Sequence, residues 1–354
     1  MIVPPGSTIG ILGGGQLGRM VAVAAVQLGY RTHIYAPEAS GPAADVSRWT
    51  QGRYEDADAL ARFSGQVDVV TYEFENVPVV ALGVLSEKLR PSARPLEVAQ
   101  DRASEKSFAE RLGVAVAPWQ PVDDRAALDS ALAAIGAPAI LKTRRFGYDG
   151  KGQARLASAA DGDAAWAAIG GRPAVLEKQI GFTHEFSILI ARTSGGACAV
   201  YDPPENVHRD GILRLSKLPA PSALASQTAL AAASAQRIAD ALDYVGVLAC
   251  EFFATSDGIP LFNEMAPRVH NSGHWTIEGA VTSQFENHVR AICGLPLGST
   301  ALAAAHVEMR NLIGSDVDDW QAILADPATH LHLYGKREAR PGRKMGHVTR
   351  LRLD

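Results

Sequence analysis

The chain has 354 residues, of which 47% are hydrophobic and 20% charged, with a formal net charge of −4 and a pI near 6.2. This length provides two or three domains, and the charge balance argues against a nucleic-acid-binding protein. No apolar run approaches the roughly 18 residues of a membrane helix, and no basic leader precedes the first apolar run. Three scattered cysteines predict neither disulfides nor a metal site. We expect a cytoplasmic globular protein without nucleic-acid or membrane partners.

The chain opens with a predicted βαβ unit containing a glycine-rich turn. A strand at 7–12 is followed by glycines at 13, 14, 15 and 18, a helix to Leu28 and a strand at 31–35. The backbone N–H groups of such a turn can bind a phosphate. A dinucleotide would need an acid closing the second strand, where Tyr35-Ala36-Pro37 stands instead. The turn therefore predicts a dinucleotide site, a single-phosphate site or only a tight turn.

A buried strand at 67–71 leads into Glu73, at the sheet edge where such folds bind ligands. Glu73 could contact an amine or hydroxyl of a substrate, or it could be the N-terminal acid of a helix at 77–88. Prolines at 91 and 95 indicate a linker. We expect a doubly wound parallel-sheet domain that closes near residue 100.

A small α/β module is predicted next, with a helix at 125–135 and a strand at 139–143. Lys142 lies among apolar neighbours in this strand, either beside a phosphate or as an edge lysine that reaches solvent. The loop at 147–153 has three glycines in six residues and can bend over phosphates, although a flexible surface loop is the alternative. The strand end at 177–180 can present backbone groups to an adenine and an acid to a ribose.

A larger domain follows, with a strand from Glu185, a polar loop at 203–211 and a helix at 222–242. Its last predicted unit is a β-hairpin, because apolar runs at 245–255 and 259–264 flank a turn signal. A two-residue turn at Asp257-Gly258 places Glu251 opposite Glu264, and Phe253 opposite Phe262.

The facing glutamates of this hairpin indicate a cation site. Directly opposed carboxylates, with Cβ atoms about 5 Å apart, destabilise a strand pair. Mg²⁺ held by carboxylates and substrate phosphates would remove the repulsion, whereas two glutamates on a solvated sheet face are the alternative. A polar loop containing Arg268, His270, Asn271 and His274 follows at once, which favours a site.

In this order, the residues resemble the ATP-grasp carboxylate–amine ligases, and several strings resemble one family among them, the N5-carboxyaminoimidazole ribonucleotide synthetases. The matching strings lie at 13–20, 147–153, 266–275, 311–316 and 340–347. The resemblance implies an α/β ATP-grasp fold with an N-terminal doubly wound domain at 1–100, an ATP-grasp domain at 101–295 with a lid at about 120–181, and a short β-rich part at 296–354.

The resemblance also implies a reaction. It would carboxylate 5-aminoimidazole ribonucleotide with bicarbonate and ATP, through carboxyphosphate, giving N5-carboxyaminoimidazole ribonucleotide, ADP and phosphate for purine biosynthesis in a homodimer. The alternative is another ATP-grasp enzyme acting on a purine-pathway ribonucleotide, such as one that uses formate. A nicotinamide-dependent oxidoreductase based on the glycine turn and a non-catalytic nucleotide sensor are the other hypotheses.

The resemblance assigns roles to individual positions. Mg²⁺, or Mn²⁺, is assigned to Glu251 and Glu264. Catalysis is assigned to Arg268, His270, Asn271 and Lys336, and the first three of these would face bicarbonate or carboxyphosphate. ATP is assigned to Arg102, Lys142, Gly147, Tyr148, Asp149, Gly150, Lys151, Gly152, Gln153, Glu177, Lys178, Gln179, Ile180, Glu185, His208, Asn263 and Glu264. The ribonucleotide is assigned to Gly15, Gln16, Leu17, Glu73, Tyr148, Asp149, Lys151, Arg268, Lys336, Arg343 and Lys344. Ala266 stands where the superfamily often has an asparagine ligand, which leaves the metal coordination open.

Overall fold

A computed structural model describes residues 2–147 and 151–353. The strands are β1 (Thr8–Leu12), β2 (Arg31–Ala36), β3 (Arg48–Gln51), β4 (Val69–Tyr72), β5 (Trp119–Val122), β6 (Ala139–Thr143), β7 (Gln153–Leu156), β8 (Ala174–Lys178), β9 (His184–Arg192), β10 (Cys198–Val200), β11 (Glu205–Arg209), β12 (Ile212–Leu218), β13 (Gly246–Ala254), β14 (Leu261–Ala266), β15 (His306–Ile313), β16 (Thr329–Leu333) and β17 (Lys344–Arg352).

The α-helices are α1 (Gln16–Gln27), α2 (Ala57–Ser64), α3 (Arg94–Ala99), α4 (Arg102–Arg111), α5 (Arg125–Ile135), α6 (Gly162–Ala168), α7 (Ala225–Ala241), α8 (Thr276–Gly279), α9 (Gln284–Ile292) and α10 (Trp320–Leu324). Short 3₁₀ helices span Pro42–Asp45, Val79–Leu85, Ala159–Asp161, Ser222–Leu224, Asn271–Gly273 and Gly314–Asp319. In the described part of the chain, no helix is long and apolar enough to cross a membrane.

The N-terminal sheet is parallel, with strand order β3-β2-β1-β4. Ile9 and Ile11 of β1 pack into one core cluster with α1, whereas Leu12 packs into another with α2. The two clusters draw alternate residues of the strand, as expected when helices cover both faces of a parallel sheet. The predicted doubly wound architecture is confirmed.

The small second sheet has the order β5-β8-β6-β7, and α5 and α6 pack over it. β6 lies inside this sheet, paired with β7 on one side and β8 on the other. The alternative of Lys142 as an edge lysine is therefore wrong. Its ammonium group must be balanced by a partner in the protein or in a ligand.

The largest sheet has the order β14-β13-β9-β11-β12-β15-β17-β16, with β10 added to β9. One face of β9 and β13 packs against α7, and the other packs against α9. β15, β17 and β16 extend this same sheet at the end opposite the hairpin, yet Lys344 at the start of β17 lines the same two cavities as Glu251 and Glu264. Tertiary structure thus brings Lys344 of the 340–347 string near the paired acids.

The hairpin differs from prediction at its turn. Glu251 does pair with Glu264, but Phe253 pairs with Leu261 and Phe262 pairs with Phe252. The register shifts by one residue between these pairs, which leaves Asn263 as an extra residue on β14. The strands end at Ala254 and begin again at Leu261, so the two-residue turn is also wrong. The loop differs from the predicted turn and the bulge adds one residue to β14. These two differences cancel, so the acids still face each other.

Two predicted helices are also shorter or tighter than expected. The helix expected at 77–88 is a 3₁₀ helix at Val79–Leu85, and Pro78 precedes it. The helix expected at 222–242 opens with a 3₁₀ turn before α7. Glu73 precedes the first of these helices by several residues and makes its contacts elsewhere, so it is not a helix N-terminal acid.

Candidate active site

Glu251 and Glu264 lie side by side on the hairpin, with side chains 19% and 40% exposed. Arg102 Nη1 donates to Glu264 Oε2 at 2.8 Å from the first turn of α4. Asp101 caps that helix by accepting two backbone N–H bonds, which holds Arg102 in place. His270 Nε2 lies 3.7 Å from Glu251 Oε1. Glu264 therefore has a guanidinium partner, and Glu251 has an imidazole neighbour.

The bulge residue Asn263 adds a third oxygen beside the acids. Its Oδ1 atom is buried and accepts no hydrogen bond within the described residues. An unpaired buried amide oxygen indicates a missing partner. Carboxylate and amide oxygens are hard ligands that suit Mg²⁺.

The pKa values of the two acids move apart. Burial, and then the charge of Glu264, raise the pKa of Glu251 to about 7. Burial alone would also raise the pKa of Glu264, but Arg102 outweighs it and the pKa is lowered. A proton on Glu251 and the guanidinium group of Arg102 thus balance the charge of the two acids. A divalent cation could replace both.

Three His, Cys, Asp or Glu side chains arranged around one metal position are found nowhere in the described ranges. The hairpin offers two carboxylates with an amide oxygen nearby, and one or two carboxylates are the usual protein ligands of a magnesium ion that also binds substrate phosphates. The residues present therefore fit such an ion.

Lys142 and Glu177 form a buried ion pair with Lys106 of α4. Lys142 Nζ lies 2.8 Å from Glu177 Oε2, and Lys106 Nζ lies 3.3 Å from Oε1. Burial alone would raise the pKa of Glu177, but Lys142 and Lys106 lower it to about 2. Burial lowers the pKa of Lys142 more than Glu177 raises it. Glu177 therefore orients two lysines and does not point towards a ribose.

Two cavities meet at the acid pair. The lid cavity, of about 610 Å³, lies against β6, β7 and β9, and the N-terminal cavity, of about 670 Å³, lies against the glycine turn and the loop after β4. Six residues line both cavities: Arg102, Glu251, Glu264, His270, Asn271 and Lys344. Two ligands could therefore react across this shared wall.

The candidates divide between the cavities. Those lining only the lid cavity are Lys142, Lys151, Gln153, Glu185, His208 and Asn263. Those lining only the N-terminal cavity are Gly15, Gln16, Leu17, Glu73, Gly147 and Arg268. Those outside both are Gly152, Glu177, Lys178, Gln179, Ile180, Lys336 and Arg343. The predictions for Tyr148, Asp149 and Gly150 lie outside the described residues.

At the lid cavity, His208 Nδ1 contacts Glu185 Oε2. Burial lowers the pKa of His208, but the hydrogen bond to Glu185 reverses this and the net shift is upward. Lys178 and Gln179 donate their backbone N–H groups to Pro118 and Pro138 carbonyls, at 2.8 and 3.0 Å. These two N–H groups are thus already used within the protein.

Glu73 occupies the glycine turn. Gly15 donates its N–H to Glu73 Oε1 at 2.8 Å, and a Cβ atom on Gly13, whose φ is +106°, would meet that oxygen at 2.6 Å. The carboxylate takes the backbone donor that a dinucleotide pyrophosphate would need. The arrangement argues against the dinucleotide hypothesis. Burial raises the pKa of Glu73.

Arg268 and His270 of the polar loop after the hairpin each have a side-chain partner. Glu75, in the loop after β4, forms an ion pair with Arg268. His270 Nδ1 lies 2.9 Å from Ser272 Oγ, and burial followed by the charge of Arg268 lowers the pKa of His270 well below its usual range. The His270 imidazole is therefore neutral in this environment.

Lys336 and Arg343 lie in the loop between β16 and β17. Lys336 Nζ donates to the Lys344 carbonyl at 2.6 Å and lies 5.6 Å from the Tyr334 ring centroid. Arg343 Nη1 donates to the Glu338 carbonyl at 3.0 Å. Lys344 itself lies on the wall between the cavities.

The sequence did not indicate four residues that support the site: Glu75, Glu105, Lys106 and Asn311. Glu105 accepts the Met265 N–H at 2.7 Å, and burial followed by Glu264 raises its pKa to about 8. Arg102, Glu105 and Lys106 share one helix face at i, i+3 and i+4 spacing, which was an available signal for α4. Asn311 begins the 311–316 string but no role was indicated for it there, and Glu75 carried no comparable local signal.

Comparison with protein families divides the chain in the same order as its structure. A ribonucleotide synthetase preATP-grasp domain matches residues 6–100, an ATP-grasp domain matches residues 107–285, and a phosphoribosylaminoimidazole carboxylase C-terminal domain matches residues 308–354. Together with the fold and the acids between two cavities, these matches define an ATP-grasp ligase.

Individual relatives narrow the assignment. The N5-carboxyaminoimidazole ribonucleotide synthase of Brucella melitensis is 53% identical, over 98% of this chain and 97% of that protein. The Thermus thermophilus synthetase structure has a TM-score of 0.91 at 49% identity, covering 98% of this chain and 94% of that one. An Aspergillus clavatus synthase structure, in complex with ADP and 5-aminoimidazole ribonucleotide, has a TM-score of 0.90 at 30% identity, with coverages of 98% and 94%. The chain belongs to the N5-carboxyaminoimidazole ribonucleotide synthase family.

Proposed function

We propose that the chain carboxylates 5-aminoimidazole ribonucleotide with ATP and bicarbonate, giving N5-carboxyaminoimidazole ribonucleotide, ADP and phosphate in purine biosynthesis. The observation that carries this proposal is the acid pair on the wall shared by the two cavities. ATP would occupy the lid cavity and the ribonucleotide the N-terminal cavity. Bicarbonate would meet both at the shared wall.

Phosphoryl transfer needs positioning and charge neutralisation. Glu251 and Glu264, with Asn263 beside them, would hold Mg²⁺ or Mn²⁺, which neutralises phosphate charge when bound. Arg102 and Lys142 would add positive charge at the phosphates, and the 147–153 loop would close over them. Glu177 keeps Lys142 oriented by the 2.8 Å contact.

The adenosine end of ATP would lie against the strand end at 177–180. Because Glu177 is buried with two lysines and the N–H groups of Lys178 and Gln179 are engaged, Ile180 and the 178 carbonyl are the better candidates for adenine. Glu185 would bind the ribose hydroxyls, with His208 fixed beside it.

A bicarbonate oxygen would attack the γ-phosphorus, displacing ADP and forming carboxyphosphate. The ribonucleotide amine would then attack the carboxyl carbon and displace phosphate. Arg268, held by Glu75, and Asn271 would bind the carboxyl oxygens. His270, whose pKa is held low, is a poorer base than the departing phosphate, so the amine proton would leave with phosphate and His270 would position the anion.

The ribonucleotide phosphate would be held by Lys336, Arg343, Lys344 and the turn at Gly15, Gln16 and Leu17, with Tyr148, Asp149 and Lys151 nearer the amine and ribose. The position of Lys344 on the wall of the N-terminal cavity supports this arrangement. Glu73 would act by shaping the glycine turn through its bond to Gly15.

The remaining features of the proposal rest on the resemblance and the fold. They are a cytoplasmic homodimer that uses N-terminal surfaces, and a division into residues 1–100, 101–295 with a lid at about 120–181, and 296–354. Analytical ultracentrifugation tests the homodimer, and limited proteolysis tests the division.

Phosphate release from Mg·ATP tests the function. We expect release to require both bicarbonate and 5-aminoimidazole ribonucleotide for full rate, with isotopically labelled bicarbonate entering the product. Release supported by formate would favour the related formate-using ligase. Binding of ATP without release under any condition would favour a nucleotide sensor. Either result contradicts the proposal.

A further inference from the structure

Asn271 lines both cavities, and its side chain is paired with Asn311 of β15. Asn271 Nδ2 donates to Asn311 Oδ1 at 2.9 Å, and Asn311 Nδ2 donates to Asn271 Oδ1 at 2.8 Å. Asn311 is 1% exposed, and its Nδ2 also donates to the Leu213 carbonyl at 2.9 Å. The reciprocal bonds define both the position and the plane of the Asn271 amide.

A primary amide has two N–H donors and an oxygen with two acceptor positions. The reciprocal pair uses one donor and one acceptor position of Asn271. Counted over the described residues, one N–H and one acceptor position of Asn271 remain for a ligand. Asn311, whose donors are both used, has no direct access to a ligand from its buried position.

The loop that carries Asn271 is attached to the C-terminal strands a second time. The His274 ring centroid lies 4.9 Å from that of His347, which pairs with Asn311 across β15 and β17. Tyr334 and the Nδ1 atom of His347 are 2.9 Å apart. These supports are uncharged side chains, so they hold the loop without attracting or repelling an anion at the shared wall.

We propose that Asn311 is a positioning residue for the reaction and acts through Asn271. It orients the free N–H of Asn271 towards an oxygen of the carboxyl group being transferred. This inference rests on the proposed function, because it assumes that Asn271 contacts bicarbonate or carboxyphosphate. The bond to the Leu213 carbonyl anchors Asn311 in the fold, and its reciprocal bonds to Asn271 reach a residue of the cavity wall.

A double-mutant cycle tests this role. Asn311→Ala is expected to lower kcat/KM for bicarbonate about 10- to 100-fold, as for a loss of alignment, while ADP affinity stays unchanged. In an Asn271→Ala background, Asn311→Ala is expected to have little further effect, because the residue it orients is already absent. Independent, multiplicative losses would overturn the proposal.

Asn287→Ala is the matched control. Asn287 is fully buried on α9 and its side chain bonds Tyr201 and Gly298, away from both cavities. It should lower thermal stability without changing the kinetic constants of the folded enzyme. If Asn311→Ala lowered stability to the same extent and left kcat/KM unchanged, Asn311 would be structural only.

Asn311→Asp keeps the side-chain volume should the alanine variant fail to fold. It can still accept the Asn271 bond, but it cannot donate to Asn271 or Leu213, so a similar or larger loss in kcat/KM is expected. Full activity in this variant would overturn the inference. Wild-type enzyme without bicarbonate-dependent phosphate release would instead overturn the proposed function.

Discussion

The two sides of the shared wall are built from different interactions. On the hairpin side, Arg102 pairs with Glu264, and Glu177 pairs with Lys142 and Lys106. On the side of the polar loop, Asn271 pairs with Asn311, and burial keeps His270 and His274 neutral by lowering their pKa values. Charge is denser where a metal ion and phosphates are expected, whereas on the bicarbonate side the Arg268–Glu75 ion pair stands beside uncharged hydrogen bonds.

This difference follows from the size and charge of each ligand. A nucleotide triphosphate and a divalent cation carry large opposite charges. When they bind, the charged side chains on the hairpin side must exchange their present partners for these ligands. Bicarbonate is small and carries one negative charge, and it needs alignment more than neutralisation. Neutral amides provide alignment through directional hydrogen bonds, and their geometry does not change with pH or salt.

Glu264→Gln should give the largest effect, because it removes a metal ligand and the partner of Arg102. We expect turnover to fall about 1000-fold, consistent with the several kcal/mol that a metal ion contributes to transition-state charge stabilisation. Measurement of phosphate release over a range of Mg²⁺ concentrations tests this fall in turnover. Glu308→Gln, on an exposed position of β15, is the control. Near-normal release at saturating Mg²⁺ would refute the metal assignment.

Glu177→Gln should mainly destabilise the fold, because it leaves two buried lysines without a carboxylate. We expect a loss of about 3 kcal/mol in the free energy of unfolding near neutral pH. The pKa of Glu177 is lowered from 4.5 to about 2, so its stabilisation is present above 4.5 and is lost as pH falls towards 2. In denaturant titrations, the free energies of unfolding of wild type and variant should therefore converge at acid pH.

Glu87→Gln, at an exposed position, is the matched control for that measurement. It should change the free energy of unfolding little at any pH. A Glu177→Gln protein as stable as wild type at neutral pH would mean that the buried triad is not a net stabilising contact.

Lys336→Ala tests the C-terminal contribution to ribonucleotide binding. Loss of one charged hydrogen bond should weaken that binding by about 2 kcal/mol, or roughly 30-fold, with ADP affinity unchanged. Calorimetric titrations with each ligand separate the two effects, and Arg337→Ala, at an exposed neighbour, is the control. A fall in ADP affinity instead would place Lys336 on the nucleotide side.

Affinity for Mg·ADP should depend on pH through Glu251, and over one pH unit this is the smallest effect. Its pKa is raised to about 7, so below that pH the acid is protonated and a metal must displace the proton. Affinity should fall about tenfold for each pH unit below 7 and level off above it. Glu251→Gln should weaken binding and flatten this dependence; an unchanged slope in the variant would assign the titration to another group.

Local patterns were sufficient for much of the fold. The strand at 139–143 and the helix at 125–135 match β6 and α5, because alternating burial and an Asp124 cap act over a few residues. The glycine turn, the hairpin and the string at 311–316 were also visible in the sequence. The facing of Glu251 and Glu264 was predicted from the turn, although the turn itself was wrong.

What the sequence alone determined was which residue types are present and which short segments form strands, helices and turns, because those preferences depend on near neighbours. Only the tertiary structure decided that Asn263 forms a bulge, that Glu177 is buried between two lysines, and that Glu73 occupies the glycine turn. It also joined Asn271 to Asn311, which lies 40 residues away along the chain. Such contacts depend on how distant strands order within a sheet, and no local spacing in the chain encodes that order.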